Sequence, residues 1–228
     1  MTMAEKMSKN FPVSGKVRRH GLIPRFVHWT AAFSIFSLFF SGFGQMPLYK
    51  RYMLTEVPGM AWSGNYEITL NMHYAGAILL MFIVFFHLTY HIARREFDIL
   101  PKQGDLGESW LIIKAMFTGG QEPPSEKYLA EQRLAYAFIA VNVIALIVTG
   151  IIKVVKNIPG VEMSESLIYL STLLHTLTSM LLLIGIIAHL LAFAIPANRN
   201  LLPGMFSGLI DAEYARHRHS KWWSQMNG

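Results

Sequence analysis

The sequence predicts an all-α integral membrane protein: a four-transmembrane-helix bundle with both termini cytoplasmic and short interfacial helices. Three observations predict it. Charged residues make up 15% of the 228 residues and mean hydropathy is +0.35, where ordinary soluble domains carry roughly 25% charge. The deficit is concentrated: Phe26 to Tyr49, Ile68 to Ala93, Leu134 to Ile152 and Ser166 to Asn198 contain no Asp, Glu, Lys or Arg. Each stretch approaches or exceeds the roughly 20 residues that a spanning helix needs. Finally, 16 of the 20 Lys and Arg lie in the N-terminal arm, in the middle segment with its flanks, and in the C-terminal tail. Cytoplasmic segments collect positive charge, so these three belong inside. The net charge of +6 and the pI near 9.5 follow from that bias, and no nucleic-acid partner is needed to explain them.

Residues 1–25 read as a cytoplasmic basic arm, 26–198 as the membrane domain and 199–228 as a cytoplasmic amphipathic tail. The arm is polar, with no apolar core of its own, so no cleavable signal peptide is expected and the first span serves for insertion. Span 1, at about 26–46, opens at Arg25-Phe26-Val27-His28-Trp29 and runs out near Gly42, Gly44 and Pro47. The outer loop to Glu67 holds Pro58-Gly59 and Ser63-Gly64-Asn65, turn chemistry, and is long enough to dock a partner. Span 2, at about 68–93, stops at Arg94-Arg95. Ser109 to Phe117 is apolar on one side and too short to cross, hence an interfacial helix. Pro123-Pro124 precedes span 3 at about 134–153, and span 4 follows at about 166–196. After Pro203-Gly204 the tail reads as a second surface helix with Trp222 and Trp223 as interfacial anchors. No internal repeat is visible.

The chemistry lies in the histidines. There are 9 His and no Cys, which excludes disulfides, thiolate-bound iron–sulfur clusters, Cys-containing zinc sites and covalently attached haem. His28, His73, His87, His175 and His189 lie in or beside the charge-free stretches, and His91 near the end of span 2. An ionisable group at membrane depth is costly and begins as a functional candidate, although a single one is as readily a hydrogen-bonded packing contact. Spacing favours the functional reading. His73 and His87 are separated by the same interval as His175 and His189, one that advances about 21 Å and returns to nearly the same helix face. Spans 2 and 4 run in one direction, so His73 comes level with His175 and His87 with His189. Two layers of facing imidazoles suit two haem b groups, each held from both sides. The spans contain no Asp or Glu for a carboxylate-bridged di-iron site. His28 is a third candidate for the inner layer, and spacing leaves the choice between His28 and His87 open. His20, His91, His217 and His219 read as interfacial or solvated.

Several segments together resemble a known family. They are Arg25-Phe26-Val27-His28-Trp29-Thr30, Met72-His73-Tyr74-Ala75-Gly76, Leu146-Ile147-Val148-Thr149-Gly150-Ile151, Leu174-His175, Ala188-His189 and Leu202-Pro203-Gly204-Met205-Phe206-Ser207-Gly208, followed by the basic run to Trp222-Trp223. Over nearly the whole chain from about residue 18, this pattern resembles the gamma, cytochrome b subunit of respiratory membrane-bound formate dehydrogenases. That family is in turn similar to the cytochrome b subunits of nickel–iron hydrogenases. The resemblance implies a bacterial inner-membrane, di-haem anchor subunit that passes electrons to a quinone, either menaquinone or ubiquinone. An iron–sulfur subunit and a catalytic dehydrogenase subunit would dock on the outer face, within a possible oligomer of the complex. It implies His73 and His175 as ligands of the outer haem, His28 and His189 as ligands of the inner one, and His87 as a neighbour. The implied quinone region spans Tyr128 to Arg133, with Gln132 fitting the family pattern. Leu129 and Glu131 stand where polar Asn and Gly are usual; Glu131 offers a hydrogen bond or a proton relay.

Three other functions compete: the cytochrome b of a hydrogenase or sulfur-compound oxidoreductase, a stand-alone quinol-oxidising cytochrome b, and a His-lined metal or proton transporter. The long outer loop and interfacial segments favour a partnered subunit. The electron donor lies in the partner's chemistry, not in this chain.

Overall fold

The computed structural model describes residues 15–227, the Phe117 side chain excepted. Lys6 and Lys9 of the basic arm lie outside the described residues. Among the described residues the protein is all-α apart from one small ribbon, and four helices are long and apolar enough to cross a membrane. The described residues divide into two units, 21–95 and 15–20 with 96–227.

The unit of residues 21–95 is a helical hairpin. Helix α1 covers Leu22–Gly44 and helix α2 covers Tyr66–Arg94. Asn65 starts α2 by accepting hydrogen bonds from the backbone N–H of Glu67 and Ile68, the usual way an N-cap satisfies donors without an intrahelical partner. Arg95, in the left-handed conformation at φ 51°, closes it. Ser41 meets His73 and Gly76 faces Leu38, so the helices run antiparallel. Small residues set their separation: a Cβ added to Gly44 would lie 2.9 Å from Thr69 Cγ2 and 3.1 Å from the Ser63 carbonyl. The connecting loop is ordered into a short helix, Pro47–Arg51, and two 3-10 turns. Buried Tyr49 ties it down through a 2.8 Å hydrogen bond with Ser63 Oγ. Tyr52, Met53, Leu54, Val57 and Trp62 remain exposed on it.

The second unit contains helix α3 (Asp105–Thr118), helix α4 (Ala130–Val155) and helix α5 (Glu165–Leu191). Helix α3 is the short interfacial element. Ile112 packs with Leu129 and Ala130, while Leu106, Trp110 and Leu111 face outward. Helices α4 and α5 form another antiparallel hairpin, shown by Thr149 against His175 and Phe138 against Gly185. A Cβ on Gly185 would fall 2.8 Å from the Phe138 ring. On all four long helices the outward side chains are mostly apolar, among them Phe33, Phe85, Val141 and Leu191. That is the surface of a helix solvated by lipid.

The tail carries its expected helix over Trp222 and Trp223 and adds a ribbon and a further short helix before it. Strand β1 (Lys16–Arg18) pairs antiparallel with strand β2 (Leu209–Asp211), Val17 opposite Ile210. The ribbon is extended by the bond from Arg19 N–H to Gly208 O. Helices α6 (Ala212–Arg218) and α7 (Ser220–Asn227) follow, with Asp211 capping α6 through the Tyr214 N–H. Val17, Ile210, Ala215 and Trp222 make a small core. Trp222, expected at the membrane interface, is instead buried in this cap, because the ribbon supplies it with an apolar partner surface.

Candidate haem site

His73 is the best-defined candidate of the 21–95 unit. Its Nδ1 lies 3.0 Å from Ser41 Oγ on the facing helix. Ser41 is fully buried, and its hydroxyl proton is committed to the Ser37 carbonyl at 2.7 Å, with Leu38 O at 3.2 Å. The hydroxyl oxygen therefore accepts from His73, which places the ring proton on Nδ1 and makes Nε2 the ring's basic nitrogen. Gly42 adjoins the same ring: a Cβ there would lie 3.5 Å from His73 Cε1.

The α4–α5 hairpin repeats this arrangement. His175 Nδ1 lies 2.9 Å from Thr149 Oγ1, and that hydroxyl donates to the Ala145 carbonyl at 2.7 Å. Gly150 adjoins His175 as Gly42 adjoins His73, again with Cε1 3.5 Å from an added Cβ. A hydroxyl–glycine pair thus precedes each of the two histidines, Ser41-Gly42 on α1 and Thr149-Gly150 on α4. Sequence reasoning found no repeat here, and a two-residue match in apolar surroundings gives little signal. The clue would have been a hydroxyl and a glycine adjacent at corresponding depths of spans 1 and 3.

The other candidates meet different partners. His28 is half-buried with its ring edge-on to Trp29 at 5.1 Å, and His189 is exposed with Phe193 edge-on at 5.8 Å. His87 lies one turn from His91, their ring centres 4.4 Å apart. Gln132 serves the start of α4, its Oε1 accepting from Leu129 N–H at 3.3 Å and from Arg19 at 3.4 Å. One oxygen of Glu131, Oε2, is buried and accepts no hydrogen bond among the described residues.

Beside Gln132 sits a group the sequence hid. Arg19 is buried, stacked over Tyr128 and Trp222, and donates to the Lys127 carbonyl and to His219 Nε2. Burial pulls its guanidinium down to about 10, so it remains charged at neutral pH. His219 is fully buried, with Nδ1 2.7 Å from Glu126 O. Because Arg19 donates to Nε2, the His219 proton sits on Nδ1 and points at Glu126 O. Burial, then the Arg19 charge, pushes His219 down to about 3. His20 is buried as well. Both histidines were expected to be interfacial or solvated; instead His219 is enclosed by Arg19, Glu126, Tyr214 and Trp222, and His20 lies beside Tyr128.

Among the described residues no group of three or more His, Cys, Asp or Glu stands close enough to hold a bare metal ion. What each of the two hairpins presents is an imidazole oriented from the facing helix, His73 on one and His175 on the other. One or two such donors suffice for a haem iron, because the macrocycle supplies the equatorial nitrogens. The model of prokaryotic cytochrome b561 matches residues 19–208. The chain belongs to the prokaryotic cytochrome b561 family. As a cytochrome b561 it is a multi-pass membrane protein of haem b electron transfer. No curated protein matches the chain. Taken each on its own hairpin, His73 and His175 have the chemistry of a haem ligand: a hydroxyl at Nδ1, which makes Nε2 the basic nitrogen, and a glycine beside the ring.

Proposed function

We propose that this chain is the di-haem b membrane-anchor subunit that carries electrons from a peripheral formate dehydrogenase to the quinone pool of the bacterial inner membrane. The observation that carries it is the hydroxyl-anchored imidazole on each hairpin, His73 on Ser41 and His175 on Thr149. His73 and His175 are assigned as axial ligands of the outer haem, and His28 and His189 as those of the inner haem. His87 is a neighbour of the inner haem and its alternative ligand. Haem b, when bound, supplies one-electron transfer through its iron. The chain's own residues supply ligation, a lipid-excluded setting and the separation of about 21 Å between layers.

The quinone is assigned to the cytoplasmic end of α4, near Gln132 and Glu131. The buried, unpartnered Glu131 Oε2 supports a group that bonds or relays a proton there. The ordered outer loop, with Tyr52, Met53, Leu54 and Trp62 exposed, supports docking of an iron–sulfur subunit on that face, with the dehydrogenase subunit beyond it. The positive-inside distribution supports cytoplasmic termini.

The test is spectroscopic. Purified protein is expected to carry two haem b per chain, and His175→Ala to lose one of them. Retention of both haems in that variant would remove His175 from the ligand set. Co-purification identifies the donor: formate dehydrogenase subunits support the proposal, and a nickel–iron hydrogenase in their place assigns hydrogen instead.

A further inference from the structure

We infer that Ser41 and Thr149 are positioning residues that set the electron-donor strength of His73 and His175, and through it the haem reduction potential. This rests on the assignment of His73 and His175 as axial ligands. The geometry is the same on both hairpins. Each hydroxyl sends its own proton to a carbonyl one turn back, Ser41 to Ser37 at 2.7 Å and Thr149 to Ala145 at 2.7 Å. The oxygen then has only lone pairs to offer the ring, at 3.0 Å and 2.9 Å from Nδ1. With their protons directed to the backbone carbonyls of their own helices, the two hydroxyls serve the rings as acceptors.

An imidazole whose Nδ1–H is held by an acceptor is oriented and made more basic, and outer partners of this kind typically change metal affinity 10–100-fold. A more basic imidazole favours ferric over ferrous iron, so the hydroxyls hold the potential down. Gly42 and Gly150 adjoin the ring edges, where a side chain on either would come within 3.5 Å of Cε1. Ser41 and Thr149 are almost wholly buried, which keeps water from replacing the bond.

Redox titration of haem absorbance in the purified full-length protein tests this. Thr149→Val keeps the shape and removes the acceptor, and Thr149→Ser keeps the acceptor. The expected result is that Thr149→Val raises one midpoint potential while Thr149→Ser stays at the wild-type value. A tenfold change in ferric preference reads as about 59 mV in a one-electron couple. Ser41→Ala is expected to shift a potential in the same direction. Full haem content with unchanged potentials in Thr149→Val and Ser41→Ala overturns the inference. Haem loss in Thr149→Val but not Thr149→Ser supports it, and loss in both overturns it, since packing would then be the cause. His175→Ala is measured in parallel. If it keeps both haems, the ligand assignment fails; if it loses one while Thr149→Val is silent, only the positioning role fails.

Discussion

Asp105 and Arg133 are each 3% exposed and joined through two hydrogen bonds, Nε to Oδ2 at 2.8 Å and Nη2 to Oδ1 at 2.5 Å. They fix the first turn of α3 to that of α4, and Arg133 also donates to the Tyr128 carbonyl. A buried pair of this kind gives little net stability when whole, yet removing one partner costs about 3–5 kcal/mol, here toward the lower end because Arg133 keeps looser contacts with Glu108 at 3.7 Å and Glu126 at 3.9 Å. Asp105→Ala is therefore expected to lower stability by about that amount in thermal unfolding in detergent. The bond from Arg133 holds the Asp105 carboxyl below the usual carboxylate range. A depressed carboxyl stabilises the fold above its unfolded value, near pH 3.9. The contribution is lost as pH falls through the lower folded value. The α3–α4 junction should thus hold at neutral pH and loosen only in strong acid.

At the scale of elements, the ribbon and its helices behave differently from the hairpins. His219 is neutral when folded, with its value near 3, and takes a proton near pH 6.5 once released. The cap is fully stabilised above that pH and weakens as acidity increases toward pH 3, by at most about 1.4 kcal/mol per pH unit for one proton. Amide exchange at the β1–β2 ribbon, for which Arg19 N–H to Gly208 O is a reporter, should show opening that rises up to about tenfold per pH unit below pH 6.5. Replacing His219 by Asn should remove that slope. The hairpins respond to volume instead. Gly44→Ala places a Cβ against Thr69 and the Ser63 backbone, and overpacking of that kind costs about 1–3 kcal/mol. The four long helices were legible because each is inserted by its own apolar residues, so a local absence of charge reports it. Their ends were less so: α1 already begins at Leu22, with Arg25 inside its first turn. The ribbon was not legible, because Lys16–Arg18 and Leu209–Asp211 are strands of three residues whose pairing depends on residues far apart in the chain. The candidate ligands His73 and His175 could be named from spacing. Their anchors Ser41 and Thr149 could not, since a buried hydroxyl in a span usually bonds only its own helix.

For the whole molecule, the absence of Cys turns orientation into a direct measurement. Val57 is 49% exposed on the loop between α1 and α2, and Lys221 lies in the tail beyond β2. With cytoplasmic termini, Val57→Cys should react in intact cells with a membrane-impermeant maleimide, and Lys221→Cys only after the membrane is opened. The reverse pattern would invert the chain. The pairing of β1 with β2 also sets a timetable for manufacture. Strand β1 leaves the ribosome long before its partner, with all four long helices between them. At synthesis rates of about 5–20 residues per second that gap lasts on the order of 10–40 s. The cap with its buried Arg19 therefore closes last, after every span has been handed to the membrane. A chain halted early keeps β1 without its mate, which gives proteolysis a means of telling unfinished molecules from finished ones.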